Sequence, residues 1–573
     1  MFKRANKITS LLVAAAAVVS IVPASAADVK KIDSQDGTVY NAVAYKDGTF
    51  YVDGEVEDKD EAAYYVSDGD YTQLDDIDSG SDIATFGEKY LDVEDGDYTV
   101  DLDKGSVTDD DIVSDTADDA ASALRKKIKE DTEDRYDENL SDEIKDENEL
   151  DVIPGAKFVA PWYATTYAAA AGSTANDSAT SFNVYTDTDG NYIDADYNLG
   201  KIKVKTTDGS VTIENTNDFE DLDSTNNAVN ASVSDATIIG QDADYIYRLA
   251  TVTVSTNGNS EITEINGKEV GADTVFGAQS DEVSYKVIQK ISKAQNSDDV
   301  DGANYAKTVT TYTLSNDKAK AISGLDVVED ANVKFTVLNG KVIAYVTDDT
   351  DQDVTVRAYT LKASNGFYYT DEEDESSEDC EVSDDQGAAV QVDADGNLWR
   401  LDGGYIYKFD GTDSWNKVYK VDGSLDEMSV YDQDNMIAWC EDDEVYSVIG
   451  GKEAKTTDTT GTTDTTPVVT PVVTTGWAQA TDGTWTYNKA DGTKATGWLQ
   501  LGGVWYYLKA DGVMATGWVN DGGTWYYLAG SGAMATGWVN DGGTWYYLNA
   551  NGSMAANTTV NGYVLGANGA WVR

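Results

Sequence analysis

The chain has 573 residues, 104 Asp and Glu against 41 Lys and Arg, and a net charge of −63. A surface of that sign repels nucleic acid and anionic lipid, which excludes both as partners. Histidine is absent, which removes Ser-His-Asp triads, Cys-His nucleophile pairs and His-ligated zinc together.

Lys3, Arg4 and Lys7 precede an apolar run over 8–22 and then Ala24-Ser25-Ala26. That order reads as a secretory signal peptide over 1–26, with the mature chain starting at Ala27. The run is shorter than the roughly 20 residues a membrane span needs. Residues 27–108 form a β-rich segment in which "YNAVAYKDGTFYVDGE" alternates around Asp47-Gly48, a hairpin pattern. Residues 109–150 read as a helical, acidic spacer. Acids after Thr108 mark a helix start, and Ala117, Ala121, Leu124 and Ile128 share one face. Beyond Ile128 nearly every residue is charged, as in an exposed helix or a disordered spacer.

Residues 151–454 are an acidic β-rich body. "VKFTVLNGKVIAYV" places two alternating runs around Asn339-Gly340, and "YRLATVTVST", "KIKVKTTDGSVTIEN" and "VTVRAYTLKASNGFYY" repeat the pattern. Short strands with regular turns predict a propeller-like meander, with two or three separate β-domains as the alternative. Asp187, Asp189, Asn191 and Asp194 are spaced somewhat like a calcium loop, as are the acids of "DADGNLW" at 393–399. An EF-hand needs glycine at the sixth position, whereas Gly190 is fourth, so both read as hairpin turns. No cofactor is expected beyond weak Ca2+ association with the acidic surface, and the run "DEEDESSED" at 371–379 reads as a solvated loop. Cys380 and Cys440 are either a disulfide, which export would permit, or two free thiols.

Residues 455–475 form a Thr/Pro linker with Pro467 and Pro471. Beyond it, Gly-Trp pairs end at Trp477, Trp498, Trp518 and Trp538, and a second tryptophan recurs at Trp485, Trp505, Trp525 and Trp545. A period of 20 means stacked units, and each splits into two short strands around Gly-Gly, too small to fold alone. The signal segment carries +3 and residues 476–573 net −1, so the region between holds −65. Nine of the 13 tryptophans lie in the repeats. A close-packed core would mix aliphatics among them. Rings with little filler and little charge suit a quaternary ammonium or a sugar face.

"TGWVNDGGTWYYL" followed by "GAMATGW" resembles the choline-binding, or cell-wall-binding, repeats of Gram-positive bacteria and their phages. The overall layout is similar to secreted clostridial choline-binding surface proteins. The resemblance implies a β-hairpin solenoid over 476–573, with each ligand caged by two tryptophans of one unit and an aromatic of the next, beside a methionine. Carried over, the cages are Trp498 and Trp505 with Tyr527 and Met514, and Trp518 and Trp525 with Tyr547 and Met534, with the other tyrosine of each adjacent pair as the alternative. The first unit offers Trp477 and Trp485 with Tyr507, with Lys494 in the methionine's place. The last offers Trp538, Trp545 and Met554, and Tyr563 and Trp571 cap the stack. The implied protein is mainly β, secreted, and held non-covalently at the cell wall by choline on teichoic and lipoteichoic acids. The body then serves an interaction or coat role with a partner the sequence does not name. The rival readings are a wall hydrolase using carboxylates and a glucan-binding surface protein.

Overall fold

The computed structural model describes residues 29–131, 135–136, 150–450 and 476–572, apart from short stretches inside these ranges. The signal segment and the Thr/Pro linker lie outside the described residues. The chain divides into two compact units, one within 24–456 and one within 457–573.

The first unit is a series of antiparallel sheets built mostly from neighbouring strands, with one helix among its described residues. The expected hairpin forms: Gln35–Tyr45 pairs with Thr49–Val56 across a turn at Lys46–Gly48. Lys334–Leu338 and Lys341–Asp348 likewise meet at Leu338↔Lys341, the two-residue connection that Asn-Gly specifies. The two ends of the unit are joined in one sheet. Gln35 and Asp36 pair with Tyr446 and Val445, and Lys30–Lys31 adds in parallel to Trp415–Lys420. Closure of first strand onto last is how a propeller-like ring removes its exposed edges.

A cleft of about 480 Å³ lies among these sheets. Its walls come from strands of four of them: Gln35–Tyr45, Ile83–Phe86, Lys334–Leu338, Val390–Val392 and Glu427–Asp432. Side chain to backbone bonds tie together segments far apart in the chain. The Ala44 amide donates to Ser429 Oγ at 3.0 Å, the Gly48 amide to Asn435 Oδ1 at 2.7 Å, and Thr336 Oγ1 to the Gly396 carbonyl at 2.9 Å.

The helix spans Ile112–Asp131. It starts later than the acids after Thr108 suggest, because Ser106–Thr108 finishes a strand and the Asp111 carboxylate accepts the Ser114 amide at 2.9 Å, an N-cap bond. The expected face is buried, with Ala120 added, against Tyr163, Tyr167, Phe182 and Val184. The charged stretch that follows is not solvated throughout. Arg135 and Asp194 form a fully buried ion pair at 2.9 Å, Tyr136 Oη donates to the same carboxylate at 3.0 Å, and the guanidinium lies 3.7 Å from the Phe182 ring centroid. A buried charge demands such partners, and charge density along the sequence does not reveal them.

One further expectation is corrected. The acid run at 371–379 is largely strand: Ser376–Asp379 pairs with Asp353–Ser364, because the nearly buried Arg357 draws Glu372 and Glu375 onto it at 2.9 and 2.6 Å. Of the two readings of Cys380 and Cys440, the structure has two buried thiols with no disulfide between them. Cys380 packs with Ile343, Val354 and Val356, Cys440 with Trp399, Met428 and Met436, so separate cores hold them apart. The two calcium-like segments adopt the expected turns. Asp187 Oδ1 accepts the Asp189 and Asn191 amides, and Asp393 Oδ1 those of Asp395 and Asn397. Gly190, at φ +73°, rests against the helix backbone at Ala123 and Leu124 with no room for a Cβ.

Candidate functional site

The second unit is a run of two-stranded sheets, each one repeat: Gly476–Gln479 with Trp485–Asn488, Gly497–Leu501 with Val504–Leu508, Gly517–Asp521 with Thr524–Leu528, and Gly537–Asp541 with Thr544–Leu548. Thr558–Val560 with Tyr563–Leu565 closes the series. Backbone bonds of one register join each repeat to the next. The Met514, Met534 and Met554 amides donate to the carbonyls of Trp485, Trp505 and Trp525 at 2.7–2.8 Å, and Trp571 does the same to Trp545 at 2.8 Å.

A thin aliphatic core runs through the stack, which aromatic counting misses. Leu508, Leu528 and Leu548 are buried, as are Ala495, Ala515 and Ala555. Their signal in the sequence is the same period of 20. The methionines work across the turns. A Cβ added to Gly532, Gly552 or Gly569 would overlap the thioether of Met514, Met534 or Met554 respectively, and these glycines hold φ near +80°. Lys494, in the methionine's place, lays its aliphatic stem on Gly512 in the same way.

The tryptophans do not fill this core. Trp485, Trp505, Trp525 and Trp545 are 38–44% exposed, an unusual state for the largest apolar side chain. Trp498 and Trp505 stand 6.3 Å apart at 85°, and Trp518 and Trp525 6.4 Å apart at 81°. Each pair makes an open corner of perpendicular rings. The third ring comes from the next hairpin, but it is Tyr526 at 4.7 Å from Trp498, and Tyr546 at 4.7 Å from Trp518. Tyr527 and Tyr547, the residues expected there, instead sit 5.1 and 5.3 Å from Trp518 and Trp538 of their own hairpins, as Tyr507 does at 5.1 Å from Trp498. Strand alternation is the reason. Trp518 faces Tyr527 in register and Asn520 faces Trp525, so Tyr526 projects to the opposite face, towards the preceding repeat.

Trp538 receives Tyr563, 5.3 Å away, and Trp571 stands 5.2 Å beyond. The degenerate last unit thus supplies a third ring as well as a cap. Tyr563 precedes Leu565 by two residues, as Tyr526 precedes Leu528, and alignment on leucine would have found it. The side chain of Trp477 lies outside the described residues. Among the described residues a carboxylate reaches this region: Trp498 Nε1 donates to Asp521 Oδ2 at 3.0 Å. Perpendicular rings at half-exposed corners offer π-faces to a cation, and a neighbouring carboxylate adds to that preference.

The family model of the choline-binding repeat matches residues 495–537 and 515–559. No curated protein matches the chain in sequence. Among solved structures, the choline-binding domain of Spr1274 from Streptococcus pneumoniae is 50% identical over 14% of this chain and 96% of that one, with a TM-score of 0.14. The pneumococcal cell wall endolysin of phage Cp-1, complexed with choline, is 32% identical over 20% of this chain, with a TM-score of 0.14, and the match spans only 30% of the endolysin. CbpJ from Streptococcus pneumoniae is 22% identical over 56% of this chain and 99% of its own, with a TM-score of 0.17. TM-scores this low carry no argument about the acidic body. Among the described residues no helix is long and apolar enough to cross a membrane. The C-terminal repeats of this chain belong to the choline-binding repeat family.

Proposed function

We propose that the chain is a secreted surface protein of a Gram-positive bacterium, held at the wall through choline on teichoic and lipoteichoic acids, with its acidic body presented to an outside partner. The observation that carries this reading is the recurrence of one half-exposed corner of rings: Trp498, Trp505 and Tyr526, then Trp518, Trp525 and Tyr546. The last set is built on Trp538 and Tyr563. A single trimethylammonium against such rings gains only about 0.5–2 kcal/mol per contact. Several corners on one stack, facing a polymer that bears many cholines, gain by effective concentration. Repetition of a weak site is then the design.

The test is retention of the full chain on a choline-bearing resin. The acidic body would hold to any cationic support by charge, so loading is in about 1 M salt, where the screening length falls to about 3 Å. Retention with release by free choline, and not by the same added ionic strength of sodium chloride, is the expected result. Passage straight through the column would remove the anchoring role.

A further inference from the structure

The cleft lined by four sheets of the body holds an amine that the fold does not use. Lys157 lies in the loop between Asp151–Val152 and Trp162–Ala168 and lines the cavity wall. Its neighbour Phe158 holds φ +59°, a left-handed conformation that is costly for an aromatic residue. The Phe158 ring is clamped 4.9 Å from Tyr45 and 5.7 Å from Tyr431, themselves 5.4 Å apart. That clamp fixes the loop where Lys157 meets the cavity. Among the described residues Lys157 makes no hydrogen bond or ion pair. Burial pulls its amine down to about 8, with Asp393 opposing. The Asp393 carboxylate is itself occupied by the Trp399 indole at 2.8 Å and by Asn397.

The lining inverts the composition of the protein. The chain carries 104 acids and 41 bases, yet the charged residues of this wall are Lys157, Lys334 and Glu427. A second donor is unsatisfied there. Trp439 is 3% exposed, lines the same cavity, and its indole N–H has no partner among the described residues. A buried donor left unpaired is destabilising, so such a group marks a place where an acceptor is missing. Asn41 and Gln391 add amides. The volume falls in the range of about 300–1,000 Å³ typical of small-molecule sites. A bare inorganic anion would leave the amides without a role.

We propose that this cleft binds an acidic monosaccharide, its carboxylate on Lys157 and the Trp439 indole N–H, and its hydroxyls on the amides of Asn41 and Gln391. This site is independent of the choline-binding repeats and stands or falls without them.

Isothermal titration of the full chain with glucuronate, glucose and inorganic phosphate tests it. Glucuronate is expected to saturate one site, with glucose and phosphate each at least about tenfold weaker. Lys157→Met should weaken glucuronate by at least about tenfold, and Lys157→Arg should keep most of the affinity. Thermal denaturation establishes that both variants are folded, with Lys157→Gln replacing Lys157→Met if the latter is not. No saturable glucuronate binding, equal binding of glucose or phosphate, or a folded Lys157→Met chain with unchanged affinity would each overturn the assignment.

Discussion

The two units use the same aromatic residue types for opposite ends. In the body, rings are interior: Trp399, Tyr45, Tyr163 and Tyr247 are almost wholly buried among valines, isoleucines and leucines. Its closure joins residues far apart in sequence, as in Gln35↔Tyr446. In the repeats the interior is left to one leucine and small alanines per unit, and the second tryptophan of each stays 38–44% exposed. Every backbone bond between repeats spans a single unit, as from Met534 to Trp505. A ring closed by distant strands stands or falls as a whole, whereas a stack of nearest neighbours loses stability one junction at a time. What separates a structural aromatic from a presented one is therefore the aliphatic filler around it.

Breaking the body's interior should give the largest effect. Asp194→Ala leaves the Arg135 guanidinium buried without its carboxylate, a loss of about 3–5 kcal/mol. Thermal unfolding of the body should shift strongly while retention on choline resin stays unchanged, and loss of both together would mean the units are not separable. In the stack, Gly532→Ala meets both a φ of +83° and the Met514 thioether. It should cost about 1–3 kcal/mol in the repeats' own melting transition and reduce choline retention with it, leaving the body's transition in place. A pH series sharpens the contrast further. Lys157, lowered to about 8 in the folded body, is still protonated there in the unfolded chain. At this group the unfolded state then binds more protons, so the contribution of Lys157 to stability should rise between about pH 8 and 10. It is read as the difference between the parent chain and Lys157→Met, because the buried tyrosines act the other way as they near ionisation. Lys157→Met should remove that contribution, leaving that of Lys293, also lowered to about 8. The smallest effect is expected from Asp521→Asn. It removes the carboxylate bonded to Trp498 and should weaken choline by about 0.2–1 kcal/mol, read by titration, without moving the melting temperature.

Much of this was legible in the sequence because local rules decide it. Asp47-Gly48 and Asn339-Gly340 turn where their chemistry requires, the helix buries Ala117, Ala121, Leu124 and Ile128, and the period of 20 yields the stacked hairpins. The misses share a cause. Arg135 and Arg357 recruit carboxylates from far along the chain, which turns a charge-rich stretch into core and an acid run into strand. Which of Tyr526 and Tyr527 supplies the third ring stayed open, since composition cannot say which of two adjacent tyrosines faces the preceding repeat until register is known. The cleft was invisible because its wall is assembled from strands of four separate sheets.

The measurement that bears most directly on the presented tryptophans is a paired one on Trp505→Ala: choline stoichiometry by titration, and the melting transition of the repeats. The account predicts that one choline site is lost while the transition moves little, because Trp505 is exposed and Leu508 and Leu528 keep the core. An unchanged choline count with a destabilisation of about 3–5 kcal/mol, the cost of truncating a core tryptophan, would contradict it and make the rings structural.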